Sequence, residues 1–116
     1  MRSHSVFSCL LGTLLLAPLP APALSAEASV NIASPADGAK LDAMEQAKLV
    51  YKVVAGPHGD HVHVYVDNKE VGILRKLEGS YTLETLAVGA HTICVKVVNK
   101  AHVPIGVEKC IKVSVE

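Results

Sequence analysis

An all-β antiparallel sandwich is the fold class this sequence predicts, and three observations predict it. Short segments alternate apolar and polar residues with the period of two that marks half-buried strands. Gly-, Pro-, Asn- and Asp-containing breaks separate them about every 8–12 residues, the spacing of a small sandwich. Valine and isoleucine dominate the apolar positions, while Trp is absent and the single Phe, Phe7, lies in the first quarter of the chain. That β-branched bias favours strands over helices.

The 116 residues suffice for one domain, and residues 1–26 do not look like part of it. Met1-Arg2 starts the chain with a positive charge, Val6 to Leu16 is an apolar run, and Ala21-Pro22-Ala23-Leu24-Ser25-Ala26 offers small residues to a signal peptidase. The run is too short to span a bilayer. Residues 1–26 are therefore expected to be a cleaved signal peptide, with cleavage after Ala23 or Ala26 and no membrane anchor left. A retained anchor is the alternative reading. The remaining domain, 27–116, is expected in the periplasm or outside the cell. Its ten Lys and Arg against eleven Asp and Glu leave it near neutral, without the basic footprint of a nucleic-acid binder.

In order, the domain reads as follows. Ala28 to Ile32 alternates weakly, as an edge strand would, and Ser34-Pro35-Ala36-Asp37-Gly38 is a turn. Leu41 to Gln46 is a loop with a small strand. A strand follows over Ala47 to Ala55, ended by Gly56-Pro57, because proline cannot donate to a ladder. The next strand, His61 to Asp67, sets valines at 62, 64 and 66 on one face. His61, His63, Tyr65 and Asp67 occupy the other, expected to face water. Asp67-Asn68-Lys69 makes a hairpin turn into Glu70 to Lys76. Glu78-Gly79 turns again, Ser80 to Leu86 is a strand, and Val88-Gly89 leads into Ala90 to Val98. A longer loop over Asn99 to Gly106 carries His102 and Pro104, and Val107 to Val115 is the last strand. About seven strands in this order predict an immunoglobulin-like sandwich.

Two constellations carry chemistry. Cys94 and Cys110 are the only cysteines after the leader, on two strands joined by one loop and on the face away from the valines. Antiparallel partners stand close enough for a disulfide, and export places them in an oxidising compartment. A disulfide is expected; a free thiol pair acting as metal ligands or a redox couple is the alternative. The histidines are the second group. Greek-key order sets strand 61–67 antiparallel to strand 90–98, so the start of the first meets the loop that follows the second. His61 and His63, with His102 and also His58, then gather at one end, and His91 at the other hydrogen-bonds within its own corner. Neutral imidazoles suit copper and zinc, and a His-x-His pair on a strand aims both rings from one face. Solvated polar residues are the bland alternative.

Ser34-Pro35-Ala36-Asp37-Gly38, Gly59-Asp60-His61-Val62-His63 with Asp67, Gly89-Ala90-His91-Thr92 and His102 together resemble small secreted bacterial immunoglobulin-like domains of unknown function. The resemblance covers most of residues 27–116 and implies a fold and an export route. Gly56-Pro57-His58-Gly59-Asp60-His61-Val62-His63 is also similar to the copper-ligand strand of copper–zinc superoxide dismutases. Asp60 and Val66 depart from that pattern, and the zinc-ligand loop has no counterpart. No nucleophile with a placed base, phosphate loop or catalytic carboxylate pair is evident. The expectation is an exported, non-catalytic binding protein for copper or zinc. A metal-free protein-interaction module is the alternative, and a dismutase-like copper enzyme a remote one.

Overall fold

The computed structural model describes residues 12, 13, 15, 17 and 26–116, so most of the expected leader, the Ala23 cleavage position included, lies outside the described residues. Eight strands form the domain: β1 (Ser29–Ser34), β2 (Lys40–Leu41), β3 (Lys48–Val54), β4 (His61–Val66), β5 (Lys69–Leu74), β6 (Glu78–Thr82), β7 (Gly89–Val98) and β8 (Pro104–Val115). They make two sheets, one ordered β1-β3-β6 and one ordered β2-β8-β7-β4-β5. Every pairing is antiparallel except that of β2 with β8. The all-β sandwich that the strand pattern predicts is the fold.

Alternation builds the core. Leu49, Tyr51 and Val53 of β3 face Val62 and Val64 of β4, with Ile93, Val95 and Val97 of β7 and Ile111 and Val113 of β8 completing the layer and Leu83 closing one end. Each such aliphatic side chain contributes about 1.5–3 kcal/mol on burial. Tyr51 is buried with its hydroxyl donating to the carbonyl of Lys76 at 2.8 Å, so its polar end is satisfied. Between β4 and β5, Asp67 and Asn68 take φ of 50° and 67°. Two successive positive φ values match the twist of the hairpin, and Asp and Asn tolerate them.

Three expectations need correction. Glu78 and Gly79 are not a turn: they begin β6, opposite Lys52 and Tyr51. The chain instead changes sheets at Arg75–Leu77, because the Leu77 carbonyl accepts from Val53 N–H and its apolar side chain joins the core. The last strand starts inside the expected loop, at Pro104, paired with Val98 after a register shift. Finally, His61 and His63 do not face water. They are 1% and 3% exposed. They do lie on the face of β4 opposite its valines, but that face is roofed by the 99–103 loop.

Candidate metal centre

β4 pairs with β7 in a register that sets His61 against Val98 and His63 against Lys96. The chain leaving β7 therefore turns directly above the two imidazoles. Asn99 shapes this turn: its side-chain oxygen accepts from Ala101 N–H at 2.9 Å and Val103 N–H at 3.1 Å, and its backbone N–H donates to Val103 O at 2.9 Å. Asn side chains are suited to such local backbone capture. His102 sits at the crest with φ of 63°, and its N–H donates to Asn99 O at 3.0 Å. A left-handed backbone is uncommon for a residue other than glycine, although His is among those that adopt it more often. Here the turn's hydrogen bonds hold it, and the ring is brought down onto β4.

Three ring nitrogens converge. His61 Nε2 lies 3.1 Å from His63 Nε2 and 3.0 Å from His102 Nδ1, and the last two are 3.1 Å apart. The remaining nitrogens of the two buried rings are held by carboxylates: Asp60 Oδ2 is 2.9 Å from His61 Nδ1, and Glu70 Oε1 is 2.9 Å from His63 Nδ1. A carboxylate only accepts, which assigns the proton of each neutral ring to Nδ1 and leaves a lone pair on each Nε2. Those lone pairs face each other. One proton on His102 Nδ1 can be shared between them, which is the metal-free arrangement. A cation satisfies all three nitrogens at once. With bonds of about 2.0–2.1 Å, nitrogens this far apart subtend about 91–102° at the ion, between octahedral and tetrahedral values. Carboxylates on the outer nitrogens are the usual supports of metal-binding imidazoles.

Electrostatics agree with that role. Burial lowers the pKa of His63 below the usual histidine value; Glu70 pulls it back up, while His61, His102 and Arg75 push it further down. Desolvation disfavours the imidazolium, so the ring is kept neutral, the form that ligates.

The four histidines expected to gather divide three to one. His61, His63 and His102 come together, and the ring of His58 stays outside their group. His58 is exposed on the turn before β4, against the cleft formed with Asn99, Lys100 and Ala101. His91 is at the opposite end of the sheet, between Asp67 Oδ2 and Ala87 O, each 2.6 Å away. Cys94 and Cys110 face each other across β7 and β8 and are joined as a disulfide. Glu108 stands beside them, but bonded sulfurs are not thiolate ligands. Sequence reading missed Asp60 and Glu70. Asp60 was visible as the neighbour of His61; nothing in the strand pattern marked Glu70.

No family model matches the chain, and no curated protein sequence does. Among solved structures, it is similar to a fibronectin(III)-like module of Clostridium thermocellum CbhA, with 18% identity and a TM-score of 0.64 over 75% of this chain and 96% of that module. An engineered protein aligns with 21% identity and a TM-score of 0.55 over 80% of this chain and 21% of its own length. A Jonesia denitrificans lytic polysaccharide monooxygenase aligns at 19% identity and a TM-score of 0.47, covering 71% and 60%. At 18% identity the likeness to the fibronectin(III)-like module shows the immunoglobulin-like fold and nothing of the activity.

Proposed function

We propose that this chain is an exported, non-catalytic binding protein that holds a Cu(II) or Zn(II) ion through His61, His63 and His102. One observation carries the reading. Three imidazole nitrogens stand 3.0–3.1 Å apart with two of the rings braced from behind by Asp60 and Glu70. A core does not need this arrangement, since the valines of β4 already fill it.

Export is supported by the leader-like start of the sequence and by the Cys94–Cys110 disulfide, which fits an oxidising compartment. Periplasmic or secreted material should lack residues 1–23 or 1–26 by intact mass. Calorimetric titration with Cu(II) and Zn(II) tests the ion. Wild type should bind one ion per chain at micromolar or tighter affinity, as should His91→Ala. His61→Ala/His63→Ala should lose it. Equal binding by all three proteins would leave the metal-free interaction module as the better reading.

A further inference from the structure

We propose that the ion keeps one coordination position open toward solvent beside His102 and takes a small anion there, of the azide, halide or carboxylate class. This rests on the metal-centre reading above. Among the His, Cys, Asp and Glu side chains of the described residues, His61, His63 and His102 are the ones that bring donor atoms to the centre. The nearest carboxylates are committed elsewhere, since Asp60 and Glu70 sit 2.9 Å from the Nδ1 atoms of the two buried rings. In an imidazole, Nδ1 and Nε2 point to different sides, so those oxygens lie behind the rings rather than at the centre. Three protein donors leave a zinc or copper ion short of four ligands, the condition of sites that accept an outside ligand.

Access is one-sided. His61 and His63 are buried, whereas His102 is exposed. The open position is therefore on the side of the His102 crest. His58, three residues before His61, does not close it, because its turn is seated. A Cβ on Gly59 would collide with Ala55 O and fall 2.6 Å from Val97 Cγ1, so the backbone lies tight against the core end of β7. Asp60 N–H also donates to Val98 O at 2.8 Å. These contacts hold the turn where the His58 ring lies outside the ligand group. Charge favours an anion as well: three neutral imidazoles leave a divalent ion's charge uncompensated by its direct ligands.

The test loads the full chain with Cu(II), records its absorption and electron paramagnetic resonance spectra, and titrates azide. A new ligand-to-metal charge-transfer band that saturates at one azide per copper, with altered copper resonance parameters, is expected. His58→Ala should bind azide within about twofold of wild type. A gain of about tenfold, equivalent to about 1.4 kcal/mol, would show His58 occupying the position and overturn the proposal. Copper bound through imidazole nitrogen, yet with spectra indifferent to saturating azide, would overturn it while leaving the metal centre intact. Failure to load copper or zinc before azide is added would overturn the metal centre and this proposal together.

Discussion

Glu70 reaches His63 because Val71 is the extra residue of a bulge. Val64 pairs with Gly72, but the next residue, Tyr65, pairs with Glu70, so Val71 has no partner of its own. An unbroken ladder would have set Glu70 opposite Val66, and residues paired across a sheet share a face. Val66 packs against the core. The bulge moves Glu70 to the outer face, diagonal to His63, where its carboxylate meets Nδ1 at 2.9 Å.

Metal affinity should therefore depend on two residues that need not touch the metal. Removing an outer support of a metal-bound imidazole lowers affinity by about 10–100-fold. Glu70→Ala and Asp60→Ala are each expected to show that loss in competition titrations against a chelator. Both carboxylates are partly exposed, so the metal-free melting temperature should change little. Glu70→Gln should retain part of the affinity, since its amide oxygen still accepts from Nδ1–H. Unchanged affinity in all three variants would make these carboxylates ordinary surface charges.

The same bulge shows where sequence reading stops. Strand existence, the β4–β7 neighbourhood and the Cys94–Cys110 pairing were legible, because period-two alternation and short connections dictate them. The pattern of β4 told which face His61 and His63 share, but not what covers it. Their burial comes from the 99–103 turn, whose shape depends on Asn99 accepting two backbone N–H groups. Glu70 was unreadable for a different reason: one unpaired residue inverts the face of everything beyond it, and Val71 carries no local mark of being that residue. His58 has the residue type and sequence proximity of a ligand. Its exclusion follows from the packing of Gly59 against Ala55 and Val97, which alternation does not encode.

The far corner should respond to pH. His91 Nδ1 faces Asp67 Oδ2 and His91 Nε2 faces Ala87 O, two acceptors for one ring. Only imidazolium donates from both nitrogens, and the hydrogen bond to Asp67, with that to Ala87, raises the His91 pKa above its usual value. A cation whose folded pKa is raised stabilises fully below its unfolded pKa of about 6.5 and loses that contribution as pH rises through the folded value. Denaturant melts of metal-free wild type and His91→Gln should thus differ most near pH 5.5, by about 1 kcal/mol. The gap should narrow above neutrality. A gap that widens with pH would mean the ring is neutral in this corner. His63 runs the other way: its lowered pKa supports the fold above about 6.5 and loses that support as pH falls through the folded value.

The disulfide should matter to stability without touching the histidines. Its cysteines are 16 residues apart in sequence. Closing a loop of that size constrains the unfolded chain by about 3 kcal/mol. Cys94→Ser/Cys110→Ser should shift the denaturant midpoint by that order while keeping metal affinity near wild type. Thiol counting on unreduced, denatured domain should find neither cysteine free. Two reactive thiols in protein made under oxidising conditions would contradict the pairing.

A single methyl group tests how the turn before β4 serves the centre. Gly59→Ala would drive its Cβ into Ala55 O and to 2.6 Å from Val97 Cγ1. Neither neighbour can yield easily, since one is backbone and the other is a buried core side chain. The turn must move, and Asp60 follows it, anchored as it is by its N–H to Val98 O and its carboxylate to His61. Overpacking of this kind costs about 1–3 kcal/mol. Gly59→Ala should melt lower than wild type and also bind Cu(II) or Zn(II) more weakly, as Asp60→Ala does. The double variant Gly59→Ala/Asp60→Ala then separates the two effects. If the methyl acts on the metal through Asp60, the double variant should bind no more weakly than Asp60→Ala alone, within about 0.5 kcal/mol. Additive losses would instead mean that Gly59 positions the β4 backbone itself.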